Sequence, residues 1–364
     1  MAQDITMAAV ETGGLDVSDR YTHVCVVSGG GEVIDEGRVP TTAEALRRRF
    51  GGLPRMRLVL ETGAHSPWIS RLLEDGGHEV LVANARRVRL IAESDSKTDR
   101  TDAETLARLG RLDPALLKPI RHRSADAQLD LALIRARDAV VQARTQLVNH
   151  VRGAVKAVGG RLPKCSTESF PRRVPEAIPA ALRPALTSLL DVIATITTEV
   201  RGYDHQVEAV ATTRYPETAA LRQVTGVGVL TALSYVLTLE DPTRFPTSRA
   251  VGSYLGLRPK QRDSGERAPA LRITKAGDAF LRRLLVGSAH YILGPFGPDT
   301  DLRRWGLTLA ARGGKNAKKR AVVAVARKLA VLLHRLWVTG DVYEPLRLAA
   351  RRQEATPALA APSC

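Results

Sequence analysis

The chain has 364 residues, enough for two or three domains, and a formal net charge of +16. Residues 244–352 hold 23 Lys/Arg and 7 Asp/Glu, so this segment carries the whole excess. Basic segments of this density are typical of proteins that bind phosphate backbones, and a solvated surface is the simpler alternative. Three scattered cysteines, Cys25, Cys165 and Cys364, imply neither a disulfide framework nor a zinc site.

Signals for export and membrane insertion are absent from the pattern. The first 14 residues, MAQDITMAAVETGG, are acidic and lack the long apolar core of a secretory signal. No stretch is expected to reach the length that spans a bilayer. We therefore expect a cytoplasmic protein without a membrane partner.

Residues 1–120 alternate between strand and helix signals. Apolar runs predict strands at 13–19, 21–29, 31–39, 57–61 and 78–83. Helical patterns and caps predict helices at 42–51, 66–77 and 99–112. Strands that first form hairpins and then alternate with helices predict a mixed α/β layer fold.

Four carboxylates lie within or at the ends of these predicted elements. Asp16 lies in LDVSD, Glu61 in VLETG, and Asp99 and Asp102 in KTDRTDAETLARL. Residues three apart on a helix face the same way, so Asp99 and Asp102 can point at one spot. Carboxylate oxygens suit hard divalent cations, and the order of the four acids matches a ribonuclease-H-like site for phosphoryl displacement by two metal ions.

Each acidic motif also has a simpler explanation. A single acid is most often a surface charge, VLETG is a common turn, and acids are favoured in the first turn of any helix. Asp19, Asp95 and Glu104 are competing ligands that rank lower, because they lie beyond the strand, before the helix and off the shared helix face.

Residues 121–213 change to a helical period and predict two long helices. The first has apolar positions at Leu133, Ala136, Val140, Ala143, Leu147, Val151 and Val158. The second has Leu186, Leu190, Ile193, Thr197, Val200, Tyr203, Val207 and Val210. Prolines between them forbid one continuous helix, so the block predicts a helical hairpin or an intermolecular coiled coil. Cations along the first helix are either a nucleic-acid face or a solvated surface: Arg135, Arg137, Arg144, Arg152 and Lys156.

Residues 214–352 are basic, helical and punctuated by glycine. Gly226 and Gly228 separate two helical segments, which is typical of a helix-hairpin-helix contact with a DNA phosphate and also of an ordinary turn. A second basic turn precedes an apolar helix and contains Lys315, Lys318, Lys319 and Arg320. Residues 353–364 predict a disordered tail.

Ser264 stands in a loop whose cations, Arg262, Arg267, Arg272 and Lys275, could hold a phosphate. Most Ser-Gly pairs are simple turns, and no histidine lies nearby in the sequence to act as a base. A serine that attacks phosphate here would therefore need a metal ion to stabilise the developing charge.

In order and separation, LDVSD, VLETG, KTDRTDAETLARL, VTGVG and SG…RITKAGDAFLRRLLV resemble the DEDD transposases, bacterial insertion-sequence recombinases guided by a bridge RNA. The resemblance covers about residues 13–340. It implies a RuvC-like, ribonuclease-H-like domain whose acids Asp16, Glu61, Asp99 and Asp102 bind Mg²⁺ (or Mn²⁺). It also implies a C-terminal transposase domain in which Ser264 is the catalytic serine.

The same resemblance implies a covalent serine–DNA intermediate and half-sites that are usually joined between subunits of a homo-oligomer, a dimer or tetramer. A structured noncoding guide RNA would pair with DNA at the element ends and at the target. The domains expected are a RuvC-like domain (1–120), a coiled-coil domain (121–213), a basic transposase domain (214–352) and the tail. Two rival functions stay open: a junction-resolving nuclease that uses water, and a catalytically inert nucleic-acid-binding protein.

Overall fold

The computed structural model describes residues 11–85, 98–261 and 271–347. The chain divides into two compact units between Arg123 and Ser124.

The first unit has five strands and three helices among its described residues. They are β1 (Thr12–Val17), β2 (Tyr21–Val27), β3 (Val33–Pro40), α1 (Ala43–Phe50), β4 (Arg57–Glu61), α2 (Ser66–Asp75), β5 (Glu79–Ala83) and α3 (Asp99–Leu112), followed by a 3₁₀ turn at Pro114–Leu117. These ends lie within two residues of the predicted ones. The predicted mixed α/β sheet is confirmed.

The sheet has the strand order β3-β2-β1-β4-β5. β2 pairs antiparallel with β1 and β3, whereas β4 pairs parallel with β1 and β5. Leu15, Leu58 and Leu60 pack in a cluster with Phe50 of α1 and Ile69 of α2. Alternate residues pack in the smaller clusters that α3 covers. The central strands are therefore buried on both faces, which explains their nearly continuous apolar sequence.

Helix α3 lies directly against the backbone of β1. A Cβ atom built on Gly14 would stand 1.9 Å from the carbonyl oxygen of Ala103 and 2.5 Å from the amide nitrogen of Ala107. Only glycine permits this approach. On the outer side of α3, Arg108 and Arg111 donate hydrogen bonds to carbonyl oxygens of the β2–β3 turn, at 3.0 and 2.9 Å.

The second unit is mostly helical. Its described helices are α4 (Ala125–Ala157), α5 (Phe170–Arg173), α6 (Arg183–Arg214), α7 (Thr218–Arg222), α8 (Val229–Leu239), α9 (Ser248–Tyr254), α10 (Ala279–Leu293), α11 (Asp301–Ala311) and α12 (Ala317–Thr339), with 3₁₀ turns at Pro175–Ala177, Ala180–Leu182 and Pro242–Arg244. The core of the C-terminal part packs α8, α9, α10 and α12 together, and Tyr235 donates a hydrogen bond to the carbonyl oxygen of Ala330 at 2.7 Å.

Helices α4 and α6 form a hairpin within one chain, and its buried faces are apolar at both ends. The predicted buried face of α6 is right for Leu186, Leu190, Ile193, Thr197, Val200 and Val207. The predicted face of α4 is right for Val151 but wrong for most of its other positions. Its buried residues are Ala127, Asp130, Leu131, Ile134, Val148, Val151 and Val155, while Leu133, Val140 and Leu147 are half-buried and Val158 is exposed. α4 carries two neighbouring apolar stripes, and its period alone does not reveal which stripe meets α6.

Polar contacts fill the middle of the hairpin. Arg144 donates to the Thr197 hydroxyl at 3.3 Å, and Arg137 pairs with Asp204 at 2.5 Å. Arg135 pairs with Asp278 ahead of α10. These arginines therefore have partners within the chain, which favours the structural explanation of their positions. The coiled-coil prediction is not confirmed, because a polar layer interrupts the apolar contact between the two helices.

One described helix is long and apolar enough to cross a membrane by length and composition, within Ala180–Arg214. The expectation that no stretch reaches this length is therefore wrong. Long helices of soluble proteins meet the same criterion, and one face of α6 packs against α4.

Candidate active site and nucleic-acid interface

The strand register places Asp16 beside Glu61. Leu15 pairs with Leu60 across the parallel β1–β4 ladder, so one further step brings Asp16 opposite Glu61. Paired residues share a face of the sheet, and residues two apart along a strand also share it. Asp16 therefore shares the face of Gly14, which α3 covers, and Glu61 shares it with Val59.

The first turn of α3 lies at the same edge. Gly110 packs against Thr12 and Val59 at one end of β1, and Ala103 packs against Gly14 further along, so α3 runs antiparallel to β1. Its N-terminus therefore points toward the Asp16 end of the strand. Thr98 caps this terminus by accepting the amide hydrogen of Thr101. The fold thus brings the first turn, with Asp99 and Asp102, to the edge that holds Asp16 and Glu61.

His23 is a member of this edge that the sequence analysis did not find. It pairs with Asp16 across the antiparallel β1–β2 ladder, and its Nε2 lies 3.6 Å from Oδ2 of Asp99. Cys25, two residues further, packs against Ala103 of α3. The only sequence signal was the register of the hairpin, which places residue 23 opposite residue 16.

Two of the lower-ranked acids have other partners. Asp19 is 3.1 Å from Nε2 of His65, whose Nδ1 accepts the indole hydrogen of Trp68 at 3.1 Å. Glu104 accepts a hydrogen bond from Arg108 at 2.8 Å. Asp95 lies outside the described residues. In the part of the chain that the structure describes, no group of three or more His, Cys, Asp or Glu side chains is arranged to hold a metal ion.

Two short segments pair with each other on either side of residues 262–270 in the sequence, and we call them the ribbon (residues 258–261 and 271–275). The amide of Lys260 donates to the carbonyl of Arg272, and that of Thr274 donates to the carbonyl of Arg258, both at 2.9 Å. Pro259 and Ile273 form an antiparallel bridge between these bonds. These bonds therefore hold residues 258–260 beside residues 272–274.

Lys275 ends the ribbon in a left-handed conformation, with φ of 56°. Its amide donates to the carbonyl of Gly256 at 3.1 Å, and Arg282 of α10 donates to the carbonyls of Leu255 and Ala276 at 3.0 and 2.7 Å. A lysine in this conformation is strained, and such strain is frequent at functional sites. Asp278 also caps α10 by accepting the amide hydrogen of Leu281. The motif ITKAGDAFLRRLL therefore stabilises the local structure between the ribbon and α10.

The remaining predicted nucleic-acid contacts lie away from the ribbon in the sequence or outside the described residues. Lys315, Lys318, Lys319 and Arg320 are exposed at the start of α12, where the first turn has no acid. Cations oppose the helix dipole at this end, so an anion bound here would relieve an unfavourable arrangement. Ser264, Arg262 and Arg267 lie outside the described residues.

The glycine turn before α8 has a structural explanation. Gly226 has φ of 91°, and a Cβ atom there would lie 3.1 Å from the ring of Tyr291. Gly228 begins α8 without a side-chain cap. The helix-hairpin-helix interpretation is not confirmed.

Comparisons with known proteins cover both units. Residues 13–159 match a DEDD family model of the IS110 type described as "Transposase", and residues 218–298 match "Transposase IS116/IS110/IS902 family". Together these regions exceed half of the chain. The chain belongs to the IS110-type DEDD transposases. The first region contains all four candidate acids, and the second contains the ribbon and Ser264.

Relatives of this transposase match along most of their length. The transposase for insertion sequence element IS1111A of Coxiella burnetii is 27% identical over 349 residues, which is 93% of this chain and 92% of the relative. A "probable family 20 transposase" of Pseudomonas aeruginosa is 28% identical, covering 82% and 89% of the two chains. The transposase for element IS1328 of Yersinia enterocolitica is also 28% identical, covering 67% and 76%.

DEDD transposases generally depend on a divalent metal. The donor set of this transposase fits such an ion, because Asp16 and Glu61 lie in register and the first turn of α3 reaches the same edge. His23 adds a nitrogen beside Asp99. The backbone thus brings the donors to one edge, while their side chains are not gathered around a point.

Proposed function

We propose that this transposase cuts and rejoins DNA strands through a covalent serine–DNA intermediate, guided by a structured noncoding RNA. The observation that carries the proposal is the convergence of Asp16 and Glu61, in register on adjacent strands, with the acidic first turn of α3. In this proposal Asp16, Glu61, Asp99 and Asp102 hold Mg²⁺ or Mn²⁺. The bound ion would stabilise the negative charge that develops on the phosphodiester oxygens.

Ser264 is proposed as the nucleophile. Its Oγ forms a bond to phosphorus and loses its proton, while the phosphorus–oxygen bond to the leaving strand breaks and that strand's oxygen gains a proton. The number of phosphoester bonds is conserved, so rejoining needs no external energy source. Arg262, Arg267, Arg272 and Lys275 would hold the phosphate, and an arginine can do so with two parallel hydrogen bonds.

The proposal requires a composite site. The acids belong to residues 1–123 and the serine to residues 124–364, so the two half-sites must meet on DNA, within one chain or between subunits of a dimer or tetramer. The hairpin of α4 and α6 is proposed to pair subunits. Its support is the apolar surface that the hairpin leaves exposed, at Leu129 in α4, at Val158 directly after α4 and at Val192 in α6.

The proposal also includes contacts with the guide RNA and a location in the cell. The exposed cations at the start of α12, Lys315 to Arg320, are proposed contacts for RNA or DNA. The protein would act in the bacterial cytoplasm at the nucleoid.

Two rival functions make different predictions. A junction-resolving nuclease would use the same acids with water as nucleophile, so Ser264→Ala would still cleave DNA. An inert nucleic-acid-binding protein would show no metal-dependent chemistry, so Asp102→Asn would affect only stability or binding.

One experiment separates the three functions. Purified protein is incubated with Mg²⁺, element-end DNA and the noncoding RNA that flanks the gene, and a covalent adduct is sought on a denaturing gel. We expect an adduct that is lost in both Ser264→Ala and Asp102→Asn. Ser253→Ala and Asp75→Asn remove an exposed serine and an exposed acid elsewhere, and both should keep the adduct. Cleavage without an adduct would refute the serine intermediate.

A further inference from the structure

The paired segments of the ribbon have two faces, and side chains alternate between them. Opposite residues in an antiparallel pair share a face, and residues two apart along a strand share it too. Arg258 and Lys260 therefore lie on the same face as Arg272, their neighbour across the ladder. The other face carries Pro259 and Ile273, and Ile273 packs against the C-terminal core.

The three cations, Arg258, Lys260 and Arg272, form what we call the ribbon face. All three side chains are exposed. None forms an ion pair with an acidic residue in the described ranges 11–85, 98–261 and 271–347, whereas many other arginines of this chain do. Arg258 donates a hydrogen bond to the side-chain amide of Gln261, which holds its guanidinium at the ribbon. Cations without an acidic partner among the described residues, on a backbone held by hydrogen bonds, are suited to an external anion.

Duplex DNA is the polyanion that this face is expected to meet, because transposases act on DNA. Ile273 packs the ribbon against the C-terminal core, so the three cations on the other face would approach a duplex from outside, at its phosphates. In the sequence the two halves of the ribbon flank residues 262–270, which include Ser264, so under the proposed function the DNA bound by the ribbon is the DNA that is cut.

We infer that the ribbon face binds the phosphate backbone of duplex DNA next to the bond that is cut. The inference rests on the proposed function for the location of the cut, and it adds Arg258 and Lys260 as contacts. Phosphate contacts carry little sequence information, so this face would fix the position and orientation of the duplex while another component selects the site.

Salt dependence of binding provides the test. We compare the full-length chain with the triple variant Arg258→Gln/Lys260→Gln/Arg272→Gln, using a 30-base-pair DNA without metal, so that no chemistry takes place. Each lost phosphate contact reduces the slope of log K against log salt by about 0.9, so the variant should have a slope shallower by about 2.7. An unchanged slope in the folded variant would overturn the inference.

Matched controls separate a local contact from general charge. Arg48, Arg201 and Arg304 are exposed but paired with acids, so the triple replacement by glutamine at these positions should leave the slope within about 0.5 of wild type. The charge-conserving pair Arg258→Lys/Arg272→Lys should keep the wild-type slope. If the first triple variant does not fold, each single variant should lose about 0.9, and singles without any loss would equally overturn the inference.

Two further arms distinguish the alternatives. An RNA duplex of the same sequence tests the choice of DNA, and a loss of slope on RNA but not on DNA would contradict it. Ser264→Ala should keep the wild-type slope while it abolishes the adduct. A missing adduct in wild type together with the 2.7 loss would refute the proposed function and leave the ribbon face as a DNA-binding surface.

Discussion

Replacing Gly14 by alanine tests whether the close contact of α3 with β1 positions the candidate acids. The new Cβ atom would lie 1.9 Å from the Ala103 carbonyl oxygen and 2.5 Å from the Ala107 amide nitrogen, against ordinary contacts of 3.4–4 Å. Both neighbours are backbone atoms of a helix, so α3 must withdraw by about 1 Å or more, and overpacking of this kind costs about 1–3 kcal/mol. In a unit of this size we expect the melting temperature to fall by roughly 4–12 °C.

Activity should fall more than stability alone explains. Asp99 and Asp102 move with α3, whereas Asp16 stays on β1, so the withdrawal separates the two halves of the acidic edge. A misplacement of 1 Å can reduce the rate by about 100-fold. Thermal unfolding is followed by circular dichroism, and the rate of adduct formation is measured well below the melting temperature of the variant.

Gly63→Ala is the matched control. Gly63 lies two residues after Glu61, and a Cβ atom there has no neighbour within 4 Å. We expect unchanged stability or a gain of about 0.4–1 kcal/mol, with wild-type activity. A Gly14→Ala protein with wild-type melting temperature and adduct rate would refute the reasoning, because α3 would then not depend on this contact.

Three further predictions concern single side chains. Asp130 is buried and accepts hydrogen bonds from Arg214 and Tyr215 at 2.6 Å, so Asp130→Ala should cost about 2 kcal/mol in urea unfolding, and Tyr215→Phe only about 1 kcal/mol. Lys275→Gly relieves a left-handed conformation that costs about 1–2 kcal/mol, so this variant should be at least as stable as wild type. It should form less adduct, because it removes a proposed phosphate contact. The same change at Lys118 (φ 46°) should leave the adduct intact. Burial raises the pKa of the Cys25 thiol to about 11 from 9.0, so the contribution of this thiol to stability is complete below pH 9 and is lost as the pH rises toward 11. The free energy of unfolding of Cys25→Ala should therefore decline less between pH 9 and pH 11 than that of wild type. An equally steep decline in the variant would contradict this assignment.

The secondary structure of the first unit was predictable because local patterns determine it. Apolar runs of strand length, the cap at Thr98 and the glycines after α2 marked the ends of elements within two residues. The buried face of α6 was also largely predictable, since the three-to-four spacing of its apolar residues matches most of the buried positions from Leu186 to Val207. In α4 two stripes compete, and the choice between them depends on the partner helix.

The sequence by itself determined which residue types this transposase could use: four carboxylates, one serine in a basic loop, and a C-terminal segment with the whole charge excess. Only the tertiary structure decided which of them are neighbours. The parallel register of β1 and β4 places Asp16 beside Glu61. The contact of α3 with Gly14 directs the first turn of α3 toward these two acids, and the antiparallel pairing of β1 with β2 places His23 opposite Asp16. The ribbon pairing likewise adds Arg258 and Lys260 to Arg272. Such adjacency depends on strand order, register and helix direction, which arise from contacts between distant segments and leave no local pattern.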